Sequence, residues 1–483
     1  MPLTLNQLLA QIKQNNPKAD TTLLELAYEY AAKAHENQTR RSGEPYIQHP
    51  LHTALTLAKI KAETDMVIAG LLHDVPEETT TTAADIEKQF GKKIASLVEG
   101  VTKVGKIKYR GIERHAESLK KMFIAMAADI RVILIRFADR LHNLETLEAL
   151  PEPKRLRIAQ ETTEIYVPIA GLLGIWYFKN KMEDLCFRYL YPEEYKKLQY
   201  RYEIEQWTEN QAFIKKTEEI LIPKLKEADL QFEIQGRFKS LYSIFQKMQK
   251  KERKFSEIYD VFALRLIVDT VADCYKTVGV IHALWKPKPN RFKDYIAVPK
   301  PNGYQALHTT VFGPGGKVTE FQVATRKMYE ESLYGIAAHW YYKSKRAAFG
   351  KQPKWVRDIL ELMRQAKNSE EFVKVAKIDV FQSRIFVFTP KGDVIDLPEG
   401  ATPIDFAYAV HSDIGSHCVG AIINEKIGKL DSPLKSGDTV EIITDKNKKP
   451  SRDWLKIAKT AAARGKIKQA LKGAGMMRFI KWK

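Results

Sequence analysis

Apolar residues recur at spacings of three and four through the first 190 residues, as in Leu23, Leu24, Ala27 and Ala31, with few Gly or Pro inside the periodic segments. That period predicts a mostly helical region. The first residues, MPLTLNQLLAQIKQNNPKAD, fit a short amphipathic helix, and 160–225 fits long helices rich in Glu, Lys and Tyr. Near residue 231 the period changes. FEIQGRF, VFALRLIV and VTEFQVA are short runs of β-branched and aromatic residues mixed with helical stretches, which predicts an α/β domain. SRIFVFTPKGDVIDLP predicts a hairpin turning at Pro390-Lys391-Gly392-Asp393, DFAYAVHSDIG a short helix, and TVEIITD a closing strand.

Composition sets the scale. A chain of 483 residues is too long for one core, so about three domains are expected. With 44% hydrophobic and 28% charged residues it reads as an ordinary globular protein, and its apolar runs are far too short to span a bilayer. No charged-then-apolar leader opens it, and three widely spaced cysteines (Cys186, Cys274, Cys418) predict neither a disulfide framework nor a zinc site, so a reducing cytoplasm is the expected home. The net charge of +19 is concentrated at one end: residues 446–483 hold thirteen Lys or Arg against the single acid Asp453. Such a run meets a polyanion or serves as a solvated, solubilising tail.

The chemistry-bearing pattern is His49, the pair His73-Asp74, and Asp139. Two imidazoles and two carboxylates suit a divalent metal of intermediate hardness, manganese or iron, with positions left for water and a phosphate oxygen. A metal of this kind makes a water nucleophilic at neutral pH, which points to hydrolysis of a phosphate ester or anhydride. MVIAGLLHDVPEE and RVILIRFADRLHN both run from apolar to charged, as buried helices delivering ligands would. Helical spacing places Glu77 on the His73 face, Glu78 on the Asp74 face, and Asn143 one turn after Asp139. Pro76 predicts that the first helix ends or bends. Taken singly, His49 could be a surface residue before Pro50, and Asp139 could pair with Arg136 or Arg140.

YIQHP, LLHDVPEE and RFADRLHNLETL resemble the HD-type hydrolase domain of the long RelA/SpoT homologues, which make and degrade guanosine tetra- and pentaphosphate. RFKSLYSIFQKM, RFKDYIAVPKPNGYQALHTTVFGP and FVFTPKGDVIDLPEGATPIDFAYAVHSDIG continue the resemblance in family order. It implies a multi-domain α and α+β protein: an all-helical HD domain over 1–190, connecting helices over 191–230, a nucleotidyltransferase-like α/β synthetase domain over 231–345, a helical linker over 346–380, a β-grasp TGS domain over 381–446 and a basic helical tail over 447–483. Long members usually continue into helical, zinc-binding and ACT modules, and none of these is expected within the 483 residues.

By the same resemblance His49, His73, Asp74 and Asp139 hold manganese, and Glu77, with Glu78 beside it, orients or deprotonates the attacking water. Asn143 and Thr146 line the nucleotide pocket, and Arg40 stacks on guanine. For a synthetase, pyrophosphoryl transfer needs positive charge on the ATP phosphates, which Arg237, Lys239 and Lys247 could supply with Ser243 as a neutral donor, and Arg265 is a further substrate-binding candidate; by resemblance Asp260 would hold magnesium and Glu320 would activate the 3′-hydroxyl of GDP or GTP. Tyr304 would stack on guanine, with Lys300 and His308 near its phosphates. Lys293 matches the basic form of a loop found in bifunctional members. His411 would contact the tRNA 3′ end on a ribosome, or be a packed histidine of a small core. The chain departs from the family at Glu78, usually Asp, at Gly171-Leu172, usually a polar-Arg pair, and at Ala324, Tyr329 and Leu333, usually Arg, His and Glu. These departures thin the synthetase more than the hydrolase.

Overall fold

The structure is a computed structural model, and it describes residues 2–105, 122, 125, 129–201, 207–251, 262–300, 303–335 and 384–480. Asp260 and the expected linker lie outside them.

The N-terminal region is helical. Helices Gln48–Lys59, Thr64–Leu72 and Arg131–Glu145 pack together, and the first helix, Leu5–Asn15, buries Leu8 and Ile12 against Gln48–Lys59. Val67, Ile68, Leu71 and Leu72 are fully buried. Each such aliphatic side chain contributes about 1.5–3 kcal/mol, which is what holds the end of their helix, and His73 with it, inside the domain. The helix stops at Leu72, and a short one restarts over Val75–Glu78 with Pro76 in its first turn. Pro76 has no N–H to give the Leu72 carbonyl, so the chain breaks at His73-Asp74, two residues before the proline. The expected shared face of His73 and Glu77 is therefore not a property of one continuous helix.

The α/β domain holds a mixed five-stranded sheet in the order β1-β2-β5-β4-β3, from Phe232–Phe238 (β1), Phe262–Val268 (β2), Lys293–Asp294 (β3), Leu307–Phe312 (β4) and Val318–Thr325 (β5). β2 and β5 run parallel, and the other pairs are antiparallel. Alternation along each strand separates two faces. Leu264, Leu266, Val268, Phe321, Val323, Leu307 and Val311 build the core under helix Val271–Leu284. Gln235, Arg237, Arg265, Glu320, Gln322 and His308 fall on the opposite face through registers such as Gln235↔Arg265, Arg265↔Gln322 and His308↔Gln322.

Helix Trp207–Glu227 contributes Ile214, Leu221 and Leu225 to this core. The second of the expected connecting helices is thus part of the α/β domain, because its apolar stripe has nowhere else to be buried. Helix Trp176–Leu190 joins the helical and α/β regions: Asp184 accepts the Tyr242 N–H at 3.0 Å, at the start of helix Leu241–Lys251. Burial raises the Asp184 carboxyl to about 6. Its folded value lies above the unfolded one, so its favourable contribution is complete below about 3.8 and is lost as pH rises through about 6. Asp184→Asn keeps an acceptor without a buried charge. It is expected to raise Tm at pH 8, by the equivalent of about 1–3 kcal/mol, with the gain shrinking towards pH 4; paired thermal melts at the two pH values measure this.

The C-terminal unit contains a hairpin of β6 (Arg384–Phe388) and β7 (Val394–Pro398), turning where Gly392 has φ +87°, and a three-stranded sheet in the order β10-β8-β9. The latter comprises β8 (Cys418–Ile423), β9 (Lys426–Gly428) and β10 (Val440–Thr444). The basic segment is not wholly a free tail. Trp454, Ala458, Ala463 and Ile467 pack with Ile404, Ala407 and Tyr408. The buried Asp405 carboxylate accepts the backbone N–H groups of Lys459 (2.9 Å) and Thr460 (2.8 Å), and the Thr460 hydroxyl (2.9 Å), just before helix Ala461–Ile480.

Candidate functional site

His49 is delivered by the buried face of Gln48–Lys59, His73 and Asp74 by the break after Leu72, and Asp139 by Arg131–Glu145. All four are buried. His49 Nε2 lies 3.2 Å from Asp139 Oδ1 and 3.4 Å from Asp74 Oδ2. His73 Nε2 lies 3.2 Å from Asp74 Oδ1 and 3.9 Å from Asp139 Oδ1. Adjacent ligand atoms around an octahedral divalent ion stand about 3 Å apart, given bonds of roughly 2.0–2.2 Å. His73 Nδ1 donates to the Gly70 carbonyl at 2.8 Å, which leaves Nε2 as a bare lone pair, and that buried atom has no hydrogen-bond partner. The residues present therefore fit a divalent cation.

Both alternatives for Asp139 resolve on one carboxylate. Oδ1 faces the imidazoles, while Oδ2 pairs with Arg136 at 2.8 Å. Burial alone would raise Asp139, but Arg136 and the histidines hold it well below the usual carboxylate range. Arg140 belongs elsewhere, with Glu161 and the Tyr166 hydroxyl and ring. The Tyr46 hydroxyl donates to Asp74 Oδ2 at 3.0 Å. Tyr46 was not expected as a site residue, although it stands in the same YIQHP motif as His49.

Glu77 is half-buried beside this set, and its Oε1 is buried without a hydrogen-bond partner. Burial, opposed by Arg136 and reinforced by Asp74, raises its carboxyl above the ordinary glutamate value. A carboxylate with an unused oxygen next to a cation site is equipped to take a proton. Glu78 is exposed at the rim. Arg40 donates to Asn143 Oδ1 (2.6 Å), Thr146 Oγ1 (3.3 Å) and His142 Nδ1 (3.2 Å), and Asn143 donates in turn to Asp139 Oδ1 (2.5 Å). The guanidinium expected to stack on a base is thus held by both expected pocket residues. His142 sits at the centre of this network, and burial lowers its pKa to about 2. The sequence marks it only as the neighbour of Asn143. Gly171 lies against the stem of Lys179, whose ammonium pairs with Glu183 at 2.6 Å.

The polar face of the five-stranded sheet forms the second site. The Tyr304 hydroxyl lies 2.7 Å from His308 Nε2, and His308 Nδ1 lies 3.3 Å from Glu320 Oε1. An anionic carboxylate needs a donor, so Nδ1 carries the hydrogen and Tyr304 donates to Nε2. Gln322 donates to the same Glu320 oxygen at 2.9 Å, and Arg237 donates to Gln322 Oε1 at 2.7 Å. Lys300 lies over the rings of Tyr295 and Tyr304, at 4.6 and 5.1 Å from their centroids. Arg265 lies 4.6 Å over the Tyr329 ring, and the Tyr329 hydroxyl donates to Gln235 at 3.1 Å. Tyr329, one of the expected departures, thus packs against Arg265, a substrate-binding candidate.

Ser243 and Lys247 share one face of helix Leu241–Lys251 by their spacing of four, Lys239 precedes it, and Lys293 is exposed on β3. Ala324 is packed with Ala306, Met328, Ile296 and Tyr304, so the space at this position is filled by an apolar cluster. Arg326 turns to Glu233 at 2.7 Å on the surface and does not replace the missing arginine.

In the C-terminal unit His411 is exposed at the junction of helices Pro403–Val410 and Ser412–Ser416, where its Nδ1 accepts the Asp413 N–H at 3.2 Å. The reading of His411 as a packed core histidine is overturned: the chain bend presents its ring to solvent. Lys446, Lys448, Lys449, Arg452, Lys456 and Lys459 are exposed.

Family models match in the same order. An HD domain matches residues 27–176, the region found in RelA / SpoT proteins matches 236–347, and a TGS domain matches 385–444. The chain is 45% identical over 468 residues to a GTP pyrophosphokinase of Myxococcus xanthus, covering 95% of this chain and 62% of that protein. It is 45% identical over 468 residues to a guanosine-3′,5′-bis(diphosphate) 3′-pyrophosphohydrolase of Aquifex aeolicus, covering 95% and 66%. It is 46% identical over 474 residues to the bifunctional (p)ppGpp synthase/hydrolase SpoT of Escherichia coli K12, covering 97% and 67%. The chain thus spans about two thirds of the length of these relatives. No helix among the described residues is long and apolar enough to cross a membrane. With three family models in the family's order and this identity along nearly its whole length, the chain belongs to the RelA/SpoT homologue family.

Proposed function

We propose that this protein hydrolyses guanosine tetra- and pentaphosphate at their 3′-pyrophosphate, giving GDP or GTP and pyrophosphate. The observation that carries this reading is the convergence of two imidazole Nε2 atoms and two carboxylates beside the unpartnered Glu77 oxygen. His49, His73, Asp74 and Asp139 would hold the cation, manganese by resemblance. When bound, it would acidify water and offset phosphate charge. Glu77 takes a proton from the attacking water, and the ribose 3′-oxygen leaves protonated. Tyr46 holds Asp74 through Oδ2, the oxygen that faces His49, and Arg136 fixes the outer oxygen of Asp139. Arg40 exchanges its bonds to Asn143 and Thr146 for the guanine ring, a plane on which guanidinium stacks well. Incubation with guanosine tetraphosphate and manganese tests the reading: release of GDP and pyrophosphate is expected, and release of single phosphates would sink it.

The second site supports pyrophosphoryl transfer from ATP to the 3′-hydroxyl of GDP or GTP. Glu320, held by His308 and Gln322, is the proposed base, with Asp260 the proposed magnesium ligand. Arg237, Lys239, Ser243 and Lys247 take the ATP phosphates, and Arg265, over the Tyr329 ring, is a further substrate contact. Tyr304 takes guanine, with Lys300, His308 and Lys293 near the acceptor phosphates. Synthesis is proposed to be the weaker activity, since Ala324 and Leu333 supply no charge and a lost charge-assisted contact costs about 1.5–3 kcal/mol.

The exposed His411 and the exposed Lys and Arg side chains over 446–459 favour a further reading, that the C-terminal unit binds tRNA, as on a ribosome. Affinity is expected to fall with salt at a slope of about −0.7 per contacted phosphate on single-stranded RNA. Filter binding of the whole chain at low and high salt measures the slope, and no binding at low salt would remove this partner.

A further inference from the structure

His49 Nδ1 lies 2.8 Å from His142 Nδ1, and Arg40 Nη1 lies 3.2 Å from that same nitrogen. A guanidinium only donates, so the His142 nitrogen is a lone pair. Two lone pairs facing each other at 2.8 Å would repel, so His49 Nδ1 carries the hydrogen and donates. His49 Nε2 is therefore bare where it faces Asp74 and Asp139. The opposite tautomer is attractive in a metal-free site, because a hydrogen on Nε2 would find Asp139 Oδ1 at 3.2 Å. That tautomer refuses a cation, since its ligand atom is capped by a proton. Something must hold it off, and the Arg40–His142 pair does so: a hydrogen on His142 Nδ1 would point at a guanidinium.

We infer that His142 is a positioning residue of the hydrolase site, whose Nδ1, fixed as an acceptor by Arg40, keeps His49 in the tautomer that offers Nε2 to the metal. The ring is held for this task. It is buried and stacks on His52, with centroids 4.5 Å apart and planes at 25°. Arg40 thereby has a role before any nucleotide arrives, and the pocket side of the domain is wired to the cation side through one imidazole. The inference rests on the metal reading of the four ligands.

His142→Phe keeps the ring and its stack on His52 but removes the acceptor. His142→Asn restores an oxygen near the position of Nδ1. Manganese affinity, read from free Mn²⁺ by electron paramagnetic resonance, is expected to weaken roughly 10- to 100-fold in His142→Phe, the range seen when the outer partner of a metal-bound histidine is lost. It is expected to stay within about threefold of the parent in His142→Asn on the same principle. Nitrogen-15 shifts of the metal-free parent should show His49 protonated on Nδ1, switching to Nε2 in His142→Phe. Unchanged manganese affinity in a folded His142→Phe protein overturns the inference. So does a parent His49 protonated on Nε2, a result that needs no variant to fold. Asp74→Ala separates the two levels. If it retains manganese, the metal reading itself fails. If it loses manganese while His142→Phe does not, only the role of His142 fails.

Discussion

Asp74→Ala is expected to abolish both manganese binding and guanosine tetraphosphate hydrolysis, whereas Glu77→Gln is expected to keep the metal and lose about 10²- to 10⁴-fold in rate, the usual share of a positioned general base. The two variants differ because the two carboxylates do different work. Asp74 Oδ1 and Oδ2 each face one imidazole, at 3.2 and 3.4 Å, so its removal opens a gap in the ligand set and leaves two buried histidines without their shared acid. Glu77 contributes no bond to that set, and its Oε1 has no partner to lose. Glutamine at 77 preserves shape and gives up only the ability to take a proton. Calorimetric titration with manganese beside a pyrophosphate-release assay distinguishes the outcomes. Full hydrolysis by a metal-free Asp74→Ala protein would end the proposed mechanism, and full hydrolysis by Glu77→Gln would assign the base elsewhere, with Glu78 next in line.

Glu320→Gln is expected to remove at least about 10²-fold of whatever synthesis from ATP and GDP the protein supports, while leaving hydrolysis within about twofold, since additivity holds for distant sites. Glu320 is the anionic end of a fixed chain: Tyr304 donates to His308, His308 to Glu320, and Gln322 to the same oxygen. An amide at 320 has its own N–H groups to place, so it disturbs this chain as well as losing the base. Ala324→Arg is expected to do little for synthesis. The position lies inside the cluster beneath Tyr304, and forcing a long side chain into it costs about 1–3 kcal/mol of packing strain. A gain in synthesis from Ala324→Arg would show that the cluster opens and that the missing charge limits the rate.

Much of this architecture is readable from one chain. The change of period near 231, the hairpin around Gly392 and the match of YIQHP, LLHDVPEE and RFADRLHNLETL to a family pattern carry the fold class and the identity of the cation ligands as candidates. Those are local signals: a period of 3.6 or 2 and a proline or glycine each act within a few residues. The partners of the ligands are less legible. Arg136 is legible as one of two possible partners of Asp139, but Tyr46 and His142, each three residues from a candidate ligand, are not distinguished from their neighbours in the sequence, because their roles depend on which ring nitrogen or carboxylate oxygen they meet.

Sequence alone therefore determined which residue types are present in which order: an apolar run delivering His73-Asp74, another delivering Asp139, alternating strands around Glu320 and Gln322, and a concentration of positive charge after residue 446. Tertiary structure decided how they are used. It divided the Asp139 carboxylate between Arg136 and the imidazoles, placed Tyr329 under Arg265, and filled the space at Ala324. It also turned His411 outward and tied the start of helix Ala461–Ile480, within the basic segment, to Asp405. Several of these outcomes need groups from elements far apart in the chain to meet, as at Asp139 with His49, Tyr329 with Arg265 and Asp405 with Thr460, and burial and the sign of a pKa shift exist only once that meeting has occurred.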